Sequence, residues 1–416
     1  MGLIFYRVGL AMYSLLLRLM APFHSKAQKM LAGRRETFTI LERALQGNTQ
    51  PVAWFHCASL GEFEQGRPLM EAFTARYPQY KIVLSFFSPS GYEIRKNYAL
   101  PTAIVYLPFD SPRQATRFID CINPSVVFFV KYEFWYHYLR TLHQRQIPLF
   151  LVSGIFRKEQ IFFRGYGGFY RNILGFFQHL FVQNEASQKL LQQIGISKVS
   201  IAGDTRFDRV ATIAAQAKAI PQAEVFRQGN KIMVIGSCWK EDLQVLKSFI
   251  TQGPAELKWI IAPHEIDAAT IQFFEQELGN TLIRFSAFED FQASQHRILL
   301  IDNMGMLSSL YQYGDYAYIG GAFGKGLHNI LEAATFGLPV FFGNKNYQKF
   351  QEAVALIAAQ GAFAIGSTEA FTEAFMRLWN QPELDQKTRL LIKEYVKSNT
   401  GATEAILSQL KTLPSL

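Results

Sequence analysis

Four short segments of this 416-residue chain place polar or acidic side chains where an apolar run ends and a helix-like run begins. The first is Ser59-Leu60-Gly61-Glu62, between PVAWFHCAS and FEQGRPLMEAF. Glu62 lies three residues after Ser59, the spacing of a Ser-x-x-Glu capping box at a helix start. A carboxylate in that position can equally serve as a general base that takes a proton from a hydroxyl, and the residues alone leave both readings open. The second is Lys131-Tyr132-Glu133-Phe134-Trp135, where Glu133 follows the apolar run SVVFFV. Such a charge either ends a strand in solvent or supplies a second functional carboxylate.

The third segment, Gly236-Ser237-Cys238-Trp239, precedes a helix-like run over 241–250. Small residues there make a tight turn and also let backbone N–H groups approach an anion. The fourth holds Gly320, Gly321, Gly324, Gly326, His328, Asn329 and Glu332, ahead of LEAATFGLP. Asn329 and Glu332 read as a cap with its acid partner, Gly337 as the helix end and Pro339 as the next strand's start. Four glycines in seven residues exceed what a helix start needs and favour a ligand loop.

Several chemistries are excluded by spacing. A Walker A loop would need Gly where Ile319 stands, and Gly324-Lys-Gly326 lacks the third glycine of a dinucleotide fingerprint. His264-Glu265 begins an H-E-x-x-H, but Ala268 takes the second histidine's place. The chain has no Asp-x-Asp and no G-x-S-x-G. Its three cysteines, Cys57, Cys121 and Cys238, form no C-x-x-C, so neither a disulfide framework nor a structural zinc site is expected. No metal and no cofactor are expected.

The elements that must position these segments are legible as alternation. Short β-branched and aromatic runs fall at 51–59, 81–88, 103–109, 125–132, 148–154, 179–184 and 199–204. After an Ala- and Gln-rich connector they restart at 231–237, 258–264, 281–286, 297–302, 316–321, 339–343 and 362–367. Near-continuous apolar strands with helical crossovers, such as 62–76 and 112–121, imply parallel sheets covered on both faces. Two doubly wound halves facing a cleft follow, with chemistry expected at the strand-to-helix turns.

With 49% hydrophobic and 18% charged residues the chain is far from the disordered class. Its net charge of +9 is concentrated near the start: Arg7, Arg18, Lys26, Lys29, Arg34 and Arg35 face no acid in residues 1–35. Nucleic acid is therefore not an expected partner, because the remaining excess is small. MGLIFYRVGLAMYSLLLRLMAPF offers no convincing cleavage site for a signal peptide. Its uninterrupted apolar part, 8–17, is half a full span, so a membrane-associated helix with snorkelling arginines at an anionic surface is expected, spanning or lying flat.

Taken in order, W-F-H-C-A-S-L-G-E at 54–62, Y-E-F-W at 132–135, G-D-T-R-F-D at 203–208, G-S at 236–237, A-P-H at 262–264, L-I-D-N-M-G-M-L at 300–307 and G-G-A-F-G-K-G-L-H-N-I-L-E at 320–332 give the chain a clear likeness. It resembles the 3-deoxy-D-manno-oct-2-ulosonic acid (Kdo) transferases of lipopolysaccharide assembly. The resemblance implies an α/β GT-B glycosyltransferase: residues 1–35 a membrane anchor and basic tail, 36–215 an acceptor-binding Rossmann-like domain, and 216–416 a donor-binding one. It implies Glu62 as general base, with Ser59, Gly61 and Glu133 on the acceptor side. Gly236, Ser237, Pro263, His264, Gly321, Gly326, His328, Asn329 and Glu332 would then bind the donor.

The implied reaction moves Kdo from CMP-Kdo to a lipid A precursor, lipid IVA, with inversion and without metal, at the cytoplasmic face of a bacterial inner membrane. The family's threonine after Gly-Ser is Cys238 here, and its Pro-Arg-His reads Pro263-His264-Glu265. A basic, aromatic stretch at 157–171 reads either as a solvated loop or as a contact for the acceptor. Two rival classes share the architecture or the anchor: a GT-B-like sugar-nucleotide epimerase and a non-catalytic membrane-tethered binding module.

Overall fold

A computed structural model describes residues 2–324 and 326–410. The first sheet contains β1 (Val52–Cys57), β2 (Lys81–Phe86), β3 (Ala103–Tyr106), β4 (Pro124–Val130), β5 (Leu149–Gly154), β6 (His179–Val182) and β7 (Val199–Ile201). The second contains β8 (Lys231–Cys238), β9 (Leu257–Pro263), β10 (Leu282–Arg284), β11 (Ile298–Leu300), β12 (Tyr316–Ile319), β13 (Val340–Gly343) and β14 (Ala362–Ile365). Each apolar run read from the sequence overlaps one of these strands, to within one residue at Pro124, Cys238 and Leu257. The first sheet runs β3-β2-β1-β4-β5-β6-β7 and the second β10-β11-β9-β8-β12-β13-β14, parallel throughout. These are two Rossmann-like domains, each with a central pair where the strand order reverses: β1 and β4 in one, β8 and β12 in the other.

Strand β1 shows why both faces must be covered. Val52 and Trp54 join one buried cluster, while Ala53, Phe55 and Cys57 join another on the opposite face. The helix Leu60–Arg76 covers the second face with Phe63, Leu69, Met70 and Phe73. It lies very close to the sheet: a Cβ on Gly66 would stand 2.9 Å from Val130 Cγ2. The next crossover illustrates local coding. Ser111 accepts the Gln114 N–H, Pro112 opens the helix Pro112–Ile122, Ala115, Phe118, Ile119 and Ile122 form its apolar stripe, and Asn123 ends it at φ +38.

The chain divides into two units. One runs to Arg209 and regains the chain from Thr400 onward; the other is Val210–Asn399. The seam falls at 209/210, where the sequence reading placed it at 215/216, and the last helix, Ala402–Leu410, belongs to the first unit. Ile406, Leu407 and Leu410 complete the cluster under the helix Leu60–Arg76. Asp208 caps the returning helix by accepting the Gly401 and Thr403 N–H groups at 2.5 and 2.6 Å. Thr205, in the same G-D-T-R-F-D block, donates its hydroxyl to the Gln65 carbonyl at 2.5 Å.

The helix Gly2–Met20 is long and apolar enough to cross a membrane by length and composition. It is docked on the first unit: the Tyr6 hydroxyl donates to Asp110 at 2.5 Å and accepts the Tyr136 N–H at 3.1 Å. Asp110 also accepts the N–H groups of His137 and Tyr138. Leu17 is buried, whereas Ile4, Phe5, Val8, Met12, Leu15, Leu16, Leu19 and Met20 face outward.

Candidate functional site

In the first unit, the chain beyond the carboxyl ends of β1 and β4 carries Glu62 and Glu133, at the topological switch point where such sheets bind ligands. Ser59 occupies the N-cap of the helix Leu60–Arg76, but its side chain accepts no backbone N–H. It donates instead to the Glu62 carboxylate. The reciprocal capping box is therefore not formed, and Glu62 is a half-buried carboxylate in the helix's first turn, oriented by a neighbouring hydroxyl. Gly61 is exposed beside it, with no contact waiting for a Cβ except Ser59 Oγ at 3.7 Å.

Glu133 is held from two sides. Trp135 Nε1 donates to its Oε2 at 2.6 Å, and His56 Nε2 lies 3.0 Å from the same oxygen. Glu133 retains 11% side-chain exposure and His56 none. Behind them, His56 Nδ1 is 2.8 Å from Ser85 Oγ, which accepts the Trp54 indole N–H at 2.7 Å. A single direction satisfies the chain: Trp54 donates to Ser85, Ser85 to His56 Nδ1, and His56 Nε2–H to Glu133. Lys131, the first residue after β4, takes φ +68, a strained turn for a residue with a Cβ, two residues before this acid. Burial pushes the Cys57 thiol far up, and Glu62 and Glu133 push it further, so Cys57 is an inert neighbour of both carboxylates.

The second unit builds a different centre at β8 and β12. Ser237 takes φ +51 at the end of β8. A Cβ on Gly236 would run into the Tyr311 hydroxyl, and one on Gly320 into the Ser237 carbonyl oxygen. Gly321 combines φ +94 with a Cβ position blocked by the Gly326 carbonyl, whose own residue has φ +132. Close backbone packing thus accounts for Gly236, Gly320 and Gly321, whereas Gly324 faces open space. Buried Asp242 ties the two strand ends together: it accepts Trp239 N–H at 3.0 Å, Gly321 N–H at 2.9 Å and the Tyr318 hydroxyl at 2.9 Å. Burial raises its pKa, against the pull of those three hydrogen bonds.

Above this hub three rings stack. Trp239 and His264 centroids are 4.2 Å apart, and His264 and His328 are 4.5 Å apart. Trp239 Nε1 donates to His328 Nε2 at 3.1 Å, and burial, with His264 adding to it, lowers the His328 pKa to about 4. A cavity of about 290 Å³ opens beside the stack, bounded by Trp239, Lys240, Glu241, Glu265, Thr270 and Phe274. Pro263 is the buried last residue of β9, with His264 exposed after it. Asn329 accepts the Leu331 N–H at 3.2 Å and donates to Glu332 at 3.1 Å, and the helix they introduce is only Leu331–Ala334.

Within each unit the residues read from the sequence converge at a single strand edge. Sequence reasoning assigned no role to His56, Ser85 and Trp135 in the first unit or to Asp242 and Trp239 in the second. The available signal for His56 was its period-two spacing from Trp54, which puts a titratable ring on a buried face. Among the described residues no His, Cys, Asp or Glu group could hold a metal ion.

Residues 32–209 match the family described as 3-deoxy-D-manno-octulosonic-acid transferase. Across 370 residues the chain is 25% identical to the 3-deoxy-D-manno-octulosonic acid transferase of Haemophilus influenzae, covering 86% of each chain. It is 26% identical over 302 residues to the enzyme of that name from Aquifex aeolicus, covering 71% of this chain and 77% of that one. Among solved structures, a UDP-GlcNAc 2-epimerase from Neisseria meningitidis superposes with a TM-score of 0.61 over 87% of this chain and all of its own, at 16% identity. That last likeness shows the GT-B-like fold.

Proposed function

We propose that this chain, a glycosyltransferase related to the Kdo transferases and carrying their characteristic domain over residues 32–209, transfers Kdo from CMP-Kdo to the lipid A precursor lipid IVA. Glu62 is the general base in this reading. The observation that carries it is a carboxylate at the switch point of the family-matched domain, fixed by Ser59 and not engaged in the backbone cap its spacing foretold. It takes the proton of the acceptor's primary hydroxyl, the freed oxygen attacks the anomeric carbon of the donor with inversion, and CMP departs with the bonding electron pair. Glu133, held by Trp135 and His56, positions the acceptor from the other side of the strand edge.

The donor-side roles go to the second unit. The small residues Gly236, Ser237, Gly321 and Gly326 let the donor phosphate come close to the backbone, Pro263 and His264 border the cytosine, and His328, Asn329 and Glu332 complete the phosphate and ribose contacts. A nucleoside monophosphate leaving group carries less charge than a diphosphate, so fixed backbone dipoles and helix starts suffice without a metal. The outward apolar face of the helix Gly2–Met20, with Arg7, Arg18, Lys26 and Lys29 exposed along and after it, supports attachment to the anionic cytoplasmic face of the inner membrane.

The test is mass spectrometry of a tetra-acylated lipid A precursor incubated with CMP-Kdo and purified protein in EDTA, wild type beside Glu62→Gln. Mass gains of whole Kdo units by the wild type alone are expected. No gain from folded wild type across detergent conditions would sink the donor and acceptor assignment. Equal gains from Glu62→Gln would sink only the role of Glu62.

A further inference from the structure

The first unit holds a second cavity, of about 660 Å³, whose walls come from the helix Gly2–Met20, the helix Ser25–Ala44 and the start of the helix Pro112–Ile122. Arg18, Arg34, Arg35 and Arg117 line it with Ser14 and Gln114, and none of its lining residues is an acid. Four guanidinium groups around one space repel each other unless an anion sits among them.

Arg34 makes the case sharper. It is buried, and its guanidinium donates to the carbonyls of Leu107 at 2.9 Å, Phe87 at 2.8 Å and Met30 at 3.1 Å. The rings of Phe87 and Phe109 lie against it, with centroids 4.7 and 4.5 Å away. Among the described residues it has no carboxylate partner, and a buried charge normally has a counter-ion. Burial lowers its pKa to about 10, which leaves it charged at neutral pH. Arg18 and Arg35 also lack ion-pair partners among the described residues, and Arg117, whose guanidinium lies over the Phe38 ring at 3.8 Å, has an exposed ion pair with Glu42 at 3.5 Å. The same helix that lends Ser14 and Arg18 to the cavity turns Leu15, Leu16, Leu19 and Met20 outward.

We propose that this cavity binds the phosphate of an anionic lipid headgroup, with Arg34 as the fixed buried cation, Arg18, Arg35 and Arg117 closing around the phosphate, and the acyl chains lying along Leu15, Leu16 and Leu19. The inference rests on the membrane-attachment reading above and adds a discrete headgroup site to it. Free phosphate shares the charge but lacks the chains that the outward leucines would cover.

The experiment uses the full chain in detergent, titrated with monomeric six-carbon phosphatidylglycerol, six-carbon phosphatidylcholine or inorganic phosphate, with the thermal midpoint as readout. Flotation with phosphatidylcholine vesicles, with and without phosphatidylglycerol, reports membrane attachment separately. The midpoint should rise with phosphatidylglycerol well beyond either control. Arg35→Gln and Arg117→Gln should each weaken that binding about fivefold, while Lys189→Gln with Lys198→Gln, exposed and outside the cavity lining, should leave it unchanged. All variants should still float with neutral vesicles through the apolar face. Equal shifts from inorganic phosphate and phosphatidylglycerol, or equal losses from the lysine and arginine variants, overturn the headgroup site while leaving membrane attachment standing. Loss of flotation in the wild type overturns the attachment on which the proposal rests.

Discussion

The two switch points solve different problems with the same sheet geometry. In the first unit the carboxyl ends of β1 and β4 gather carboxylates: Glu62 beside a hydroxyl, Glu133 beside an indole and an imidazole. In the second, the ends of β8 and β12 gather glycines whose Cβ positions are blocked by backbone or Tyr311, with one acid, Asp242, buried as a structural hub. The first arrangement leaves charge available at the edge and suits proton transfer. The second buries its acid hub and offers a ring stack beside a cavity walled in part by Lys240, Glu241 and Glu265, which suits holding a planar base. Parallel strands place the reacting edge; the side chains there decide between making a bond and gripping a ligand.

The contrast can be broken most decisively at Glu62. If Glu62 is the proposed base and CMP-Kdo the proposed donor, Glu62→Gln should lower kcat about a thousandfold, the middle of the range for a general base, with CMP-Kdo affinity by calorimetry unchanged. An equal loss of donor affinity would erase the division of labour. Gly321→Ala tests the other unit: at φ +94 with its Cβ blocked, it should cost about 2–3 kcal/mol in chemical denaturation and weaken donor binding, leaving the first unit's transition in place.

Two smaller effects sharpen the comparison. Ser85→Ala strands the Trp54 N–H and His56 Nδ1 in the first unit's interior, an expected loss of roughly 1–3 kcal/mol seen as a lower urea midpoint. In the second unit His328 has its folded pKa depressed from the usual 6.5 to about 4 by burial and by His264. The unfolded chain therefore binds the extra proton first, and stability is lost as pH falls from 6.5 towards 4. Comparing urea midpoints at pH 7 and pH 4.5, His328→Gln should flatten this loss by roughly 1–2 kcal/mol after solvent screening. An unchanged pH slope would remove His328 from the account.

Parallel strands buried on both faces read as unbroken apolar runs, so β1, β4, β8 and β12 and the turns after them could be located from local sequence. Glu62 and Glu133 were legible because they interrupt such runs. The chain Trp54–Ser85–His56–Glu133 was not, since it depends on the parallel register that puts His56 beside Ser85, a pairing across 29 residues. Asp242 was hidden for another reason: an acid three residues after a helix boundary is ordinary, and only the approach of β12 makes it a hub. The expected helix after Asn329 shrinks to Leu331–Ala334, with Gly337 at φ +74 turning the chain toward β13. Leu331, Ala333 and Ala334 are buried within that single turn.

The last helix of the first unit imposes an order on biosynthesis. Ile406, Leu407 and Leu410 fill a cluster otherwise built from residues 53 to 181, and Asp208 waits for Gly401 and Thr403. At about 5–20 residues per second, roughly 10–40 seconds of translation separate Arg209 from Leu410. Throughout that interval the nascent first unit has an uncovered apolar groove, while its leading apolar helix has long since left the ribosome. A membrane surface that captures this helix early would hold the half-finished domain apart from other nascent chains until its final helix arrives.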